Sequence, residues 1–219
     1  TWLQVAAGYA HTLATTTDGK LYAWGYNAYG QLGNGTTTVR SSPVQIGALT
    51  TWLNVAAAAY HTVATTTDGK LYAWGYNGSG QLGDGTTTAR NSPVQIGALT
   101  TWSAPSGGTT HSTCTKTDGT VWTFGANTHG QLGDGTTTNR SSPVQVGALT
   151  TWSQVEAGAY AVSAIKTDGT LWAWGRNQYG QLGQGNTTNY SSPVQVGALT
   201  TWKVLAKMPK SQAPLVLID

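Results

Sequence analysis

A fifty-residue unit is written four times in succession in this chain, and a fifth copy begins before the sequence diverges. Trp2, Trp52, Trp102, Trp152 and Trp202 each follow a Thr at constant spacing, and Gly30-Gln31-Leu32-Gly33 returns at the same interval from Gly80, Gly130 and Gly180. A period of 20–50 residues marks a repeat architecture, in which each copy buries its apolar faces mainly against its neighbours. The 219 residues therefore read as one array of repeats 1–50, 51–100, 101–150 and 151–200. A divergent partial fifth repeat, or a set of closing strands, follows over 201–219.

Each copy carries the signals of short strands. Val5-Ala6-Ala7, closed by Gly8, suits a strand buried on both faces. The β-branched run from His11 to Thr17 and the aromatic run from Lys20 to Trp24 flank Asp18-Gly19, a hairpin signal because Gly supplies a positive φ freely. Asp68, Asp118 and Asp168 open the same turn in the later copies. Pro43-Val44-Gln45-Ile46 reads as an outer strand, since Pro cannot serve a central ladder. Four short strands per fifty residues and no helical period predict an all-β fold, a β-propeller or partial propeller of four-stranded blades. Tyr22 with Trp24, Tyr72 with Trp74, Trp122 with Phe124 and Trp172 with Trp174 are expected to fill the space between blades.

Composition narrows the function classes. Charged residues make up 9 % of the chain against a usual ~25 %. The net charge of +3 is mostly that of the tail, where Lys203, Lys207 and Lys210 face Asp219. No clustered basic footprint remains in the repeats, so nucleic acid is not an expected partner. The longest apolar runs fall short of a membrane span, and the low charge favours an extracellular or cell-surface setting over a cytosolic one. The chain has no initiator Met and opens in repeat register, so it is expected to be a processed product or an excerpt. Cys114 stands where other copies have Ala14, Ala64 and Ala164, which predicts a buried core thiol.

The succession Ala7-Gly8, His11-Thr12-Leu13-Ala14, Asp18 through Asn27, Gly30 through Gly35 and Pro43-Val44 resembles the repeat of the regulator of chromosome condensation family. The resemblance covers 1–200. It implies a β-propeller, in that family typically of seven blades. The nucleotide-exchange activity best known there depends on special loops and a β-wedge, and nothing in these uniform copies matches them.

Candidate partner-binding residues are those where the copies differ: Tyr29, Ser79, His129 and Tyr179 in the loop after the Asn, and Arg40, Arg90, Arg140 and Tyr190 in the Thr-rich loop. The arginines are expected to pair with Asp84 or Asp134 or to cover an aromatic face. Exposed, sugar-stacking rings are expected at Tyr26, Tyr29, Tyr76 and Tyr179. His11, His61, His111, Asp18, Asp68, Asp118, Asp168, Trp24, Trp74 and Trp174 read as structural repeat residues. The three histidines are too far apart in separate blades to share a zinc ion, and each is expected to tie its own turn to backbone. No cofactor is implied, and the glycine-rich loops lack the Lys-Ser/Thr of a phosphate loop. Pro105 is expected to weaken or displace the first strand of copy three. Glu156 and Arg176 distinguish copy four.

These features predict a non-catalytic binding or structural scaffold that displays loops to a protein or glycan. The alternative is an exchange-factor-like regulator or an enzyme using a divergent rim around repeats three and four. A seven-bladed ring needs about 350 residues at this period. The expected routes to closure are a longer parent chain, a homo-oligomer that completes the ring, or an unusually small ring. Leu215-Val216-Leu217-Ile218-Asp219 is expected to form the second strand of the begun fifth copy.

Overall fold

The computed structural model describes residues 1–206 and the backbone of 216–218. Met208-Pro209-Lys210, Leu215 and Asp219 lie outside the described residues. Each repeat forms one antiparallel sheet of four strands in sequence order. Blade 1 comprises β1 (Trp2–Ala7), β2 (His11–Thr16), β3 (Leu21–Gly25) and β4 (Arg40–Gln45). Blade 2 holds β5 (Trp52–Ala57), β6 (His61–Thr66), β7 (Leu71–Gly75) and β8 (Arg90–Gln95). Blade 3 holds β9 (Trp102–Gly107), β10 (His111–Lys116), β11 (Val121–Gly125) and β12 (Arg140–Gln145). Blade 4 holds β13 (Trp152–Ala157), β14 (Ala161–Lys166), β15 (Leu171–Gly175) and β16 (Tyr190–Gln195). β17 (Trp202–Leu205) and β18 (Val216–Ile218) pair antiparallel and begin a fifth sheet, as expected of the copied sequence.

The Pro-bearing strands stand at the outer edges, but Pro43 sits inside β4 rather than starting it. Arg40, Arg90, Arg140 and Tyr190 open these outer strands instead of lying in the Thr-rich loops. The first strands of successive blades contact one another closely, whereas the last strands have no comparable contact, so the blades converge on β1, β5, β9 and β13 and splay outward. This is the radial geometry of a propeller.

The Asp-Gly hairpin is a three-residue loop. Gly19 N–H donates to Thr16 O (2.9 Å), Thr16 N–H donates to Lys20 O (3.0 Å), and Gly19 alone takes the positive φ, 75°. Gly19 O then accepts the amide of Trp52 (3.1 Å), so the hairpin of one blade anchors the first strand of the next.

Between blades, Leu13, Leu21, Ala23, Leu32 and Ile46 of blade 1 pack on Trp52, Val55, Ala57, Ala64 and Trp74 of blade 2. Trp74, Phe124 and Trp174 are fully buried in these junctions. Trp74 Nε1–H donates to Gln31 O of the preceding blade (3.0 Å), and Trp174 repeats the bond to Gln131 O (3.1 Å). Among the described residues, none forms a sheet against the first face of blade 1. Trp2 is 52 % exposed where Trp52 is 2 % exposed, Trp24 is half-buried, and Val5 is exposed, so β1 is not the doubly buried strand its sequence suggests.

Pro105 does not displace its strand. β9 keeps its full length and pairs Pro105 with Cys114. The reason lies in the direction of the amide at this position. Val55 N–H points away from its own ladder and donates to Gln4 Oε1 of the preceding blade (3.3 Å), and Leu205 N–H uses Gln154 Oε1 in the same way (2.9 Å). A proline there forgoes only a bond to the preceding blade. Asn54 occupies that blade's position, and its shorter side chain donates to Ser103 O instead (3.2 Å).

Candidate binding face

The pairing of His11 with Gly25 and of Thr15 with Leu21 orients every blade. The loops joining the first to the second strand and the third to the fourth emerge at one end. The Asp-Gly turns and the connectors to the next blade emerge at the other. Tyr29, Ser79, His129 and Tyr179 therefore share one face of the array.

The long third-to-fourth loop is held from inside. Asn27 is fully buried; its Nδ2 donates to Thr36 O (3.0 Å) and Thr38 O (3.0 Å), and its Oδ1 accepts from Leu32 N (3.0 Å). Asn77, Asn127 and Asn177 take the same place. Gln31 Oε1 accepts the Tyr29 amide (3.0 Å), which sets the loop tip on a fixed backbone. Sequence reasoning passed over these Asn and Gln residues, although their presence in all four copies at one offset was the available signal.

Asp84, almost wholly buried, accepts from Thr86 N and Oγ1 and from Arg90 Nε (2.8 Å). Asp134 and Arg140 repeat the pair at 2.9 Å. Burial, the largest single effect, opposes ionisation of both carboxyls, but these bonds together outweigh it and hold both below the ordinary range. Arg90 and Arg140 are thus engaged within their own blades. In blade 1 the acid is replaced by Asn34, which keeps the bond to Thr36 Oγ1 (2.8 Å), and Arg40 is exposed. Tyr190 Oη accepts from Asn186 Nδ2 (3.0 Å).

Two of the histidines reach the next blade. His11 Nε2 lies 3.2 Å from Thr62 Oγ1 and His61 Nε2 lies 2.8 Å from Ser112 Oγ. Each of these hydroxyls donates onward to the Gln carbonyl of the preceding blade, Gln31 O and Gln81 O, both at 2.8 Å. Among the described residues no group of three or more His, Cys, Asp or Glu could hold a metal ion. Cys114 is fully buried, and burial pushes its thiol up to about 12.

Where the copies diverge, the fold collects the differences at blade junctions. Tyr29 of blade 1 lies 5.6 Å from Tyr60 and 5.0 Å from Tyr76 of blade 2. Tyr26 lies beside Tyr29 (6.2 Å), and Tyr9, 71 % exposed, lies beside Tyr60 (5.7 Å). The equivalent positions between blades 2 and 3 are Ser79, Thr110 and Ala126, which are small. Between blades 3 and 4 they are His129, Tyr160 and Arg176. His129 lies 5.9 Å from Tyr160, and Arg176 stacks over Tyr160 and over Tyr179, which is 68 % exposed. Glu156 accepts from Ser106 Oγ (2.8 Å), and no ion pair between it and Arg176 is found among the described residues.

The fold defines a partial β-propeller of four complete four-stranded blades, with a variable aromatic face. A family profile described as the RCC1-like domain matches residues 1–208, and the chain belongs to that family. It is similar to the crystal structure of human WBSCR16 (TM-score 0.81, 26 % identity, 90 % of this chain and 53 % of that one). It is also similar to yeast RCC1 (Prp20) crystallised with Kap60 (TM-score 0.79, 22 % identity, 91 % and 49 %), a likeness of fold. Over 43 residues it is 51 % identical to the ultraviolet-B receptor UVR8 of Arabidopsis thaliana, covering 20 % of this chain and 10 % of the receptor. The chain thus spans about half the length of the solved structures it matches.

Proposed function

We propose that this chain is a non-catalytic binding scaffold whose ligand or partner, a protein or a glycan, is received on the face carrying Tyr9, Tyr29, Tyr60, Tyr76, His129, Tyr160, Arg176 and Tyr179. The observation that carries this reading is the placement of variation. Residues common to the copies are consumed in blade junctions and loop pins, whereas the junction positions that differ project on one face. Exposed rings on a rigid backbone offer large contact area at little entropic cost. The enzymatic or exchange-factor alternative is weaker, because Glu156 accepts from Ser106 and Arg176 lies against tyrosine rings, so the two do not act as a pair.

The test is a screen of glycan and peptide arrays with the wild-type chain, a Tyr9→Ala/Tyr29→Ala variant and a Leu99→Ser/Leu149→Ser variant altered in the connectors at the other end. The reading expects ligands lost with the tyrosines and retained with the leucines. Ligands lost only with the leucines, or a turnover abolished by Glu156→Ala, would overturn it.

A further inference from the structure

The three junctions of the aromatic face differ in chemistry, and the third is charged. Arg176 takes the place that Tyr76 holds between blades 1 and 2. Its guanidinium carbon lies 5.3 Å from the ring centre of Tyr160 and 5.9 Å from that of Tyr179. None of the described ion pairs includes it, and its Nε is buried without a hydrogen-bond partner. Arg176 is nevertheless partly exposed, and the fork of donors on a guanidinium matches a carboxylate. His129 adds no second charge at neutral pH, since burial and, secondarily, Arg176 hold its ring below the ordinary range.

The acids of the repeats do not compete for Arg176. Asp84 and Asp134 are paired with Arg90 and Arg140, and Glu156 is bound to Ser106. The Asp-Gly acids stand at the opposite end of the blades. Arg40 also lacks an ion pair among the described residues, but it has no ring against it and opens an outer strand.

We propose that Tyr160, Arg176, Tyr179 and His129 form a carboxylate-binding subsite, and that the face takes a uronate-bearing oligosaccharide. The proposal rests on the aromatic face being the binding surface. Sugar rings stack on the tyrosines, and one sugar carboxylate meets the guanidinium edge. A single free guanidinium among many rings matches a ligand of sparse charge and extensive stacking surface. An acidic peptide would call for clustered cations, and Arg90 and Arg140, at the starts of outer strands, are already paired.

The experiment is calorimetry of the full chain with hexamers of galacturonate, glucuronate and mannuronate, the methyl ester of each, a neutral glucan hexamer and hexaglutamate. The variants are Arg176→Gln, Arg176→Lys and Tyr29→Ala, each checked for an unchanged melting midpoint. At least one uronate hexamer is expected to bind, and its affinity to fall at least about tenfold in Arg176→Gln and on esterification, as for loss of a charge-assisted hydrogen bond. Arg176→Lys is expected to rescue only part, because it restores charge without the fork. Absence of binding by all three uronates, equal binding of acid and ester, an affinity unmoved by Arg176→Gln, or tighter binding of hexaglutamate would each overturn the proposal. Tyr29→Ala separates the two levels. Glycan binding that Tyr29→Ala weakens and Arg176→Gln leaves alone removes the subsite but keeps the face, whereas binding indifferent to both removes the face as well.

Discussion

The ring of Tyr29 meets that of Tyr60 at 5.6 Å across a blade boundary, and two blades further on His129 meets Tyr160 at 5.9 Å in the same arrangement. One backbone geometry thus carries different side-chain chemistry at successive junctions. The repeat supplies the frame and the substitutions supply the differences that a ligand could read. The following outcomes test how each part is held.

His129 should titrate below about 6.5, and Arg176→Gln should raise it. Burial is the larger cause of the depression and Arg176 the smaller, so the variant should recover only part of the shift. Ring-proton NMR titration of wild type and variant measures this directly. The unfolded chain binds the proton more readily, so the contribution of this group to stability should decline as pH falls from 6.5 toward the folded value. An unchanged His129 in Arg176→Gln would show that the two side chains do not interact.

Asp84→Ala and Asp84→Asn should differ. The alanine removes bonds to Asn77, Thr86 and Arg90 and leaves buried donors unsatisfied, a loss of about 2 kcal/mol. The asparagine reproduces Asn34 of blade 1, which holds Asn27 and Thr36 without an ion pair, and should cost less than about 1 kcal/mol. Denaturant unfolding of both variants checks the ordering.

Gly133→Ala should be far more damaging than Gly183→Ala. Both glycines have positive φ, 69° and 67°, so the backbone strain is shared. A Cβ on Gly133 would lie 2.6 Å from Trp174 Nε1, whereas one on Gly183 would meet only Val196 at 3.0 Å. The strain costs about 1 kcal/mol in each, and overpacking against the indole should add roughly 1–3 kcal/mol to the first alone. Thermal or denaturant midpoints of the pair isolate the inter-blade contribution.

Acid should leave the fold intact until the carboxylates titrate. Asp18 is lowered to about 2, chiefly by Lys20 and then Thr16, and Asp68, Asp118 and Asp168 are lowered with it. Folded values below the unfolded value of 3.8 contribute stability above that pH, and the contribution is lost as pH falls through the folded values. The carboxylate part of the unfolding free energy should therefore be flat above about pH 5 and fall between about pH 4 and 2. A decline of that part beginning near neutrality would contradict it.

Much of the blade was legible in the sequence. Asp18-Gly19 announced its hairpin because a local turn rule specifies φ within a few residues, and Pro43 announced an edge because a missing donor is a property of one residue. Trp74 and Trp174 were readable as junction residues from strand alternation alone. Pro105 was misjudged because its tolerance depends on the direction of an amide that, in the other blades, bonds to the preceding blade. The bond of His11 to Thr62 was not legible for a related reason, since the two lie a full repeat apart. The Arg176 stack was not legible either: residues 129, 160, 176 and 179 are scattered along the chain, and only the radial packing of blades brings them to one junction.

The amino-acid sequence alone determined the period, the strands, the hairpins and the class of fold, because these follow from side-chain alternation, turn residues and the self-similarity of neighbouring copies. The tertiary structure decided which face each residue occupies, which acids are already neutralised and which cation is left between two rings. Those are relations between residues a full repeat or more apart as well as within one blade, and their energies depend on distance, burial and orientation that no local pattern encodes.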